Sequence, residues 1–279
     1  KHADWFQFRA PTGIGVYVIP YLSLCVEIPG WFKYAGNWNQ DKPPFGYAVQ
    51  RYLLKNQSRK VTINGSWEGQ SKQCVTFENP CLTDNELVLG EALAKQKNIE
   101  GKLTCCYVGR LEKPKGVERI ILAIKGLSDE EKQRIKVVHL VGDGEEMVYF
   151  KDLSKNIGVS IKFHGFLPRN KVFEIYKESH VFLMPTTASE GFPKVIAEAM
   201  NFGCLPIASR ISSIGQYVKD LETGICLEKV TQQDLINAIK KVFHLKNKQY
   251  QNIIDNQRSI VKKFGFVNYN KRIKTEIIN

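Results

Sequence analysis

The 279-residue sequence predicts an α/β protein with doubly wound parallel sheets, and three observations carry that prediction. Short apolar runs of strand length alternate with stretches of helical periodicity through the second half of the chain. The runs are apolar at consecutive positions, as strands covered on both faces require. Their ends fall at glycine or proline, as in Gly142-Asp143-Gly144 and Pro185, where such strands give way to loops.

Taken in order, residues 3–9 are expected to form a strand, 14–24 a mostly buried helix, 44–54 a second helix, and 60–64 and 74–77 short strands. Asn79-Pro80 reads as a boundary. Residues 103–108 are a buried parallel strand, 109–115 a loop, and 116–127 a helix with Val117, Ile120, Ile121 and Ile124 on one face. A strand over 137–141 ends in Gly142-Asp143-Gly144, and a polar helix runs from there to about residue 156. A strand over 161–166, a helix over 171–178, a strand over 181–184, a helix opened by Pro193 and a strand over 205–209 follow. Strands alternating with helices of this length indicate right-handed βαβ units.

Within this pattern the segment from Ser189 to Met200 carries the most chemistry. Val195, Ile196, Ala199 and Met200 outline a buried helix face, yet Glu198 interrupts it, and an unpaired carboxylate there costs several kcal/mol. Pro193 suits the first helical position, where its fixed φ fits and its missing N–H costs nothing. Glu190 and Gly191 therefore precede a helix start whose free N–H groups and positive dipole end can seat a phosphate. Glu198 is then placed to accept hydrogen bonds from a sugar diol. The competing reading has Glu198 salt-bridged to a neighbouring helix and Glu190 as a solvated loop acid. The position of the pair favours the ligand-binding reading, because the apolar run 181–184 leads straight into it, and open α/β sheets bind ligands at that edge.

The ordered set Gly109-Arg110 with Lys115-Gly116, Val141-Gly142-Asp143-Gly144, Phe163-His164-Gly165, Glu190-Gly191-Phe192-Pro193 with Glu198-Ala199-Met200, and Thr223-Gly224 resembles glycosyltransferase family 4. These are the retaining enzymes of the GT-B fold, also grouped as group 1 glycosyl transferases. The resemblance covers about residues 103 to 279. It implies two Rossmann-like domains: residues 1–100 as an incomplete N-terminal acceptor-side domain, 101–265 as the nucleotide-sugar donor domain, and 266–279 as a helix returning toward the first. It implies a chain truncated at its N-terminus, because a complete acceptor domain runs to roughly 150 residues. Such a chain is expected to bind donor and transfer poorly. A glycine-rich loop from the missing first strand is absent, and Arg9 in Phe8-Arg9-Ala10-Pro11 stands where many members place a histidine.

The resemblance further implies roles. Arg110 and Lys115 stabilise the departing diphosphate, one as a planar fork and the other as a point charge. Together with the helix N–H groups near Lys194 and Val195 they replace a divalent metal, so no metal and no cofactor is expected. Glu190 holds sugar hydroxyls, Gly191 and Phe192 bring backbone close to the sugar, and Glu198 grips the ribose. Gly142 makes the tight turn beside the donor, and the base rests near Phe166 and Leu167. Neither glutamate need be a nucleophile, since the leaving phosphate oxygen helps to deprotonate the acceptor on the same face. Lys33 and Asn37 are candidates to line the cleft from the other side, with Trp38 packed. His139 and His164 read as core or strand-end histidines.

Composition agrees with a cytoplasmic enzyme. The chain is 43% hydrophobic, enough for two cores, and its seven cysteines, two of them adjacent at Cys105 and Cys106, do not form a disulfide framework. The longest apolar stretch, residues 13–26, is broken by Pro20 and too short to span a bilayer. The net charge is +12, and residues 240–279 hold ten Lys or Arg against Asp255 and Glu276. Those basic helices suit peripheral contact with the anionic inner face of the cytoplasmic membrane, where lipid-linked acceptors lie. Nucleic acid is not expected as a partner, since no recognition motif appears. The expected function is transfer of a sugar from a nucleotide-sugar to a glycan or lipid-linked acceptor in cell-envelope or exopolysaccharide synthesis. The alternatives are a non-catalytic donor-binding fragment and a nucleotide-sugar epimerase. A dehydrogenase is disfavoured because Gly13-Ile14-Gly15 lacks the third glycine of a dinucleotide fingerprint.

Overall fold

A computed structural model describes residues 3–278. The N-terminal unit comprises β1 (Phe6–Ala10), α1 (Gly15–Leu24), β2 (Gly30–Tyr34), α2 (Phe45–Lys55), β3 (Val61–Ile63) and β4 (Cys74–Thr76). Its four strands are all parallel in the order β1-β2-β3-β4. Phe32, Tyr34, Leu54, Val61 and Ile63 form its core. Helix α3 (Asp84–Ala94) leads into the second unit, opened by a capping box between Thr83 and Glu86.

The second unit continues with β5 (Leu103–Val108), a 3₁₀ turn at Lys113–Lys115, α4 (Val117–Lys125), α5 (Asp129–Gln133), β6 (Ile135–Val141), α6 (Met147–Leu153) and β7 (Ile161–Phe163). There follow α7 (Arg169–Glu178), β8 (Val181–Met184), α8 (Lys194–Asn201), β9 (Leu205–Ser209), α9 (Ile214–Tyr217), β10 (Ile225–Leu227), α10 (Gln232–His244) and α11 (Asn247–Lys263). Its six parallel strands run β10-β9-β8-β5-β6-β7. Helices α4, α6 and α10 cover one face while α7, α8 and α11 cover the other, so every residue of β5, β8 and β9 is buried. Burial of each large apolar side chain in these strands contributes about 1.5–3 kcal/mol.

After α11 the chain crosses back. Helix α12 (Phe266–Arg272) and a final π-helical turn, Ile273–Ile278, pack on the N-terminal unit, with Ile273, Ile277 and Phe77 buried together and Tyr269 edge-on to Phe77. Arg272 fixes this strap. Its Nη1 meets the Glu78 carboxylate at 2.9 Å, its Nη2 donates to the Thr76 carbonyl at 2.8 Å, and its guanidinium lies over the Phe77 ring. Glu78, nearly buried, also accepts from the Tyr217 hydroxyl at 3.1 Å.

Four expectations need correction. Helix α1 is not mostly buried: only Gly15 and Ile19 are enclosed, while Tyr17 and Leu24 are 78% and 84% exposed, because α1 meets α2 and reaches the core of its unit along one side, through Ile19. The strand predicted over 161–166 stops at Phe163, since Gly165 turns at φ +65°. The polar helix before it spans only Met147–Leu153, the glutamates at 145 and 146 staying outside. Pro193 caps α8 from outside with φ −66° and ψ 116°, extended rather than helical.

Two stability predictions follow from this packing. Removing Arg272 leaves Glu78 enclosed without its cation, so Arg272→Ala should cost about 2–3 kcal/mol. Lys177→Ala, which breaks an exposed pair with Glu174, should cost under about 0.5 kcal/mol. Equal urea midpoints for the two variants would refute the role given to the strap. Burial, joined by Lys97 and Lys136, pushes the His180 imidazole down to about 4, and burial lowers His139 and His164 as well. These rings are neutral when folded at pH values where the unfolded chain, with imidazoles near 6.5, already binds protons. Stability is therefore lost as pH falls from about 6.5 toward 4. Denaturation at pH 7 and pH 5 should show the lower midpoint at pH 5, and His180→Gln should shrink the gap.

Candidate active site at the sheet switch point

In the six-stranded sheet the chain winds outward from β5 through β6 to β7, then returns to place β8, β9 and β10 on the other side. The loops after β5 and β8 therefore diverge and leave a crevice at their carboxyl ends, the usual ligand position in such sheets. The β5 loop carries Arg110 and Lys115, and the β8 loop carries Glu190. Thr187 N donates to the Pro114 carbonyl at 2.7 Å, and Arg119 Nη1 to the Pro185 carbonyl at 3.1 Å, pinning the two loops together. Lys115 Nζ consequently makes a direct ion pair with Glu190 Oε1. Burial and the Arg110 guanidinium push the Lys115 ammonium down, with the Glu112 carboxylate partly offsetting them. Arg110 is 70% exposed and pairs with Glu112 at 2.9 Å.

The crevice divides into two adjoining parts that share Val108, Gly109 and Arg110. One, of about 180 Å³, is walled by Lys115, Glu190, Pro193, Lys194 and Val195. Here α8 begins without a side-chain cap, and Ile196 is the first N–H of the helix to reach a backbone acceptor, Pro193 O at 3.1 Å. The other, of about 320 Å³, is more apolar and includes Gly142, Asp143, Phe166, Leu167 and Val172. Phe166 stands at its rim, 80% exposed. Gly142 has φ +131°, and a Cβ on it would lie 1.9 Å from the Gly109 carbonyl oxygen, so only glycine lets the β5 and β6 loops meet here. A larger furrow of about 410 Å³ near Leu221 and His244 offers no comparable chemistry, since its Lys240 and Lys241 are paired with Glu131 and Asp220.

Glu198 is 13% exposed and lies outside both walls, its Oε1 3.6 Å from Arg169 Nη2. Burial pushes its carboxyl up, with Arg169 and Lys194 partly offsetting. The neighbouring-helix ion pair foreseen as the competing reading is thus present. It is loose, because Arg169 is more tightly engaged by Glu86 and the Cys81 carbonyl. Phe192 turns its ring inward, stacked 4.7 Å from Phe264, leaving only backbone for a ligand. Gly191 serves the join between units: a Cβ there would lie 2.2 Å from Asn64 Nδ2 and 2.9 Å from the Ala35 carbonyl oxygen.

Sequence reasoning missed Asn64, Ser66 and Gln216. Asn64 is buried, donates to the Ala35 carbonyl at 3.2 Å and accepts from Asn79 at 3.0 Å, while Ser66 and Gln216 exchange two hydrogen bonds across the join. The only signal for Asn64 was its place before Gly65 at a strand end. Asn37 Nδ2 donates to Ser189 Oγ at 3.1 Å, so the N-terminal unit holds the Glu190 loop on both sides. Trp38 is packed edge-on against Tyr34. His139 is buried and shares a 2.8 Å contact with His164.

Comparisons with known proteins agree with this architecture. The chain is 29% identical over 199 residues to the lipopolysaccharide 1,2-N-acetylglucosaminetransferase of Salmonella typhimurium, covering 67% of this chain and 51% of that one. It is 29% identical over 160 residues to an uncharacterised glycosyltransferase of Methanocaldococcus jannaschii, covering 57% of this chain and 41% of that one. The chain thus spans about half the length of the curated relatives it matches. Among solved structures, Anabaena HepE in complex with UDP superposes with a TM-score of 0.73 at 19% identity, over 96% of this chain and 77% of that one. Sucrose-phosphate synthase from Thermosynechococcus elongatus gives 0.72 at 18% identity, over 97% and 72%. These likenesses give the fold, which is GT-B. With the family profile described as glycosyl transferases group 1 matching residues 90–260, and with the crevice lying inside that span, this chain is a member of the group 1 glycosyl transferases.

Proposed function

We propose that the crevice binds a nucleotide-sugar and that the protein transfers its sugar, with retention of configuration, to a glycan or lipid-linked acceptor. The observation that carries this reading is the pair of adjoining cavities at one switch point, one cationic and opening on a helix N-terminus, the other apolar with an aromatic rim. The diphosphate lies against Arg110, Lys115 and the first N–H groups of α8, which supply the charge that a divalent metal supplies elsewhere. The base lies on Phe166 and Leu167, beside Gly142. Glu190 holds sugar hydroxyls, and Glu198 reaches the ribose. UDP in the Anabaena structure supports a nucleotide diphosphate of this kind.

Both carboxylates are engaged by cations, Glu190 by Lys115 and Glu198 by Arg169, which supports a mechanism without a carboxylate nucleophile. In that step the bond from the anomeric carbon to the leaving phosphate oxygen breaks and the bond to the acceptor oxygen forms on the same face. The acceptor proton passes to the phosphate oxygen. The Salmonella relative supports an envelope glycan as acceptor. Of the basic C-terminal residues, Arg258 is used internally, donating to the Met200 and Asn201 carbonyls, and Arg272 anchors the strap. Lys262, Lys263, Lys271 and Lys274 are exposed alongside exposed Phe266 and Val267, a combination that supports contact with an anionic membrane surface.

Two substitutions test the site. Arg110→Ala should lower donor turnover by about 3 kcal/mol in the barrier, roughly 100-fold, without moving the melting temperature, because Arg110 makes only an exposed pair. Unchanged turnover would remove Arg110 from the site. Glu198→Gln should weaken nucleotide binding by about 1–3 kcal/mol in a calorimetric titration, with little loss of stability. A collapse in stability with affinity per folded molecule preserved would make Glu198 a structural partner of Arg169.

A further inference from the structure

Beside the donor crevice the two units bring a second group of cations together. Lys33 and Arg9 are in-register neighbours on adjacent parallel strands, and Thr62 is the in-register neighbour of Lys33 on the next strand. In-register residues of parallel strands share a face, so the three side chains form a row near the carboxyl ends of β1, β2 and β3. Lys33 Nζ donates to the Tyr269 hydroxyl at 3.2 Å and sits 4.7 Å from the centre of that ring. Lys194, on the wall of the donor crevice, lies near enough from the other unit for its charge to act on Lys33.

Among the described residues neither Lys33 nor Arg9 has an acidic partner. Glu78 is taken by Arg272 and Tyr217, and Glu198 is shared between Arg169 and the field of Lys194. The Thr62 hydroxyl is enclosed and has no hydrogen-bond partner, although its residue is only 2% exposed. An enclosed hydroxyl without a partner costs about 1–3 kcal/mol, and like charges drawn together across a domain join repel. Burial, Lys194 and Arg9 together push the Lys33 ammonium down to about 8, as expected of a cation held beside others.

We propose that Lys33, Arg9 and Lys194, with the hydroxyls of Thr62 and Tyr269, form an anion subsite that takes a phosphate group of the acceptor. A phosphate offers oxygens enough for two ammonium groups, a guanidinium and two hydroxyls at once. Bound there, it neutralises the repulsion across the join and fixes the acceptor from the N-terminal side while the donor is held from the other. The subsite deepens the glycosyl-transfer reading by giving the acceptor a charge, and rests on that reading only for which substrate brings the phosphate.

The test is a phosphorus NMR titration of the chain with inorganic phosphate at constant ionic strength, first saturated with UDP and then without nucleotide. Phosphate should bind the UDP-saturated protein. Lys33→Met should weaken that binding at least tenfold, Arg9→Gln several-fold, and Lys33→Arg should restore it, with UDP affinity unchanged within about twofold throughout. Glucose 1-phosphate should compete with phosphate, and glucose should not. Undiminished phosphate binding in Lys33→Met, or displacement of phosphate by UDP, would overturn the proposal; a parallel loss of UDP affinity would assign the cations to the donor diphosphate instead. Should no nucleotide diphosphate bind, the glycosyl-transfer reading fails, and the nucleotide-free titration of Lys33→Met against Lys115→Met still decides the subsite. Arg9 is exposed, so Arg9→Gln keeps the test alive if Lys33→Met does not fold.

Discussion

The structure depends on the reversal of winding between β5 and β8. Because successive βαβ units proceed one way from β5 and the other way from β8, two loops that are distant in sequence end side by side with a gap between them. Lys115 and Glu190, 75 positions apart, meet there and nowhere else in the topology would they do so. The surrounding sheet is buried on both faces, so the loops inherit a rigid base, and their mutual hydrogen bonds through Pro114, Thr187 and Arg119 remove most of what freedom remains. A preorganised set of cations costs no reorganisation when charge develops on a leaving group, which is the main source of electrostatic catalysis.

A second level of order comes from the N-terminal unit, which touches the Glu190 loop at Ser189 through Asn37 and at Gly191 through Asn64. The loop is thus held from three directions: by the β5 loop, by the N-terminal sheet, and by the core through Phe192, which is wedged between Phe264 and Tyr217. A substituted Gly191 would not merely strain the loop; it would push the two units apart.

How much of this the sequence disclosed follows its physics. Strands buried on both faces are contiguous apolar runs, so Val181–Met184 and Leu205–Ser209 were legible to the residue. The strand Gly30–Tyr34 was not, because Lys33 and the half-buried Trp31 break the run on the face that α12 covers, a contact made 236 positions away. Helix α5 escaped because its five residues are wholly polar and it is defined by the capping box of Ser128 and Glu131 rather than by an apolar face. Helix α1 misled in the opposite sense: it is apolar nearly all round, yet only one side has something to pack against. In the site, the run from Ser189 to Met200 pointed to Glu190 and to a partner for Glu198, while Arg110 and Lys115 came with the family resemblance; the pairing of Glu190 with Lys115 and the part played by Asn64 depend on tertiary neighbours that no local pattern encodes.

The chain passes between its two units twice, and the two passages run together. Cys81 N donates to the Phe264 carbonyl and Phe266 N to the Leu82 carbonyl, each at 2.9 Å, with Leu82 and Gly265 bridged as in a short parallel ladder. Two strands of connection laced at one place act as a single pivot instead of two independent tethers. A turn about it would break the hydrogen bonds of Asn37 with Ser189 and of Ser66 with Gln216 before it disturbed the lacing itself. Those contacts are side-chain hydrogen bonds, so the molecule is built like a book whose spine is stitched and whose fore-edge is held by light clasps.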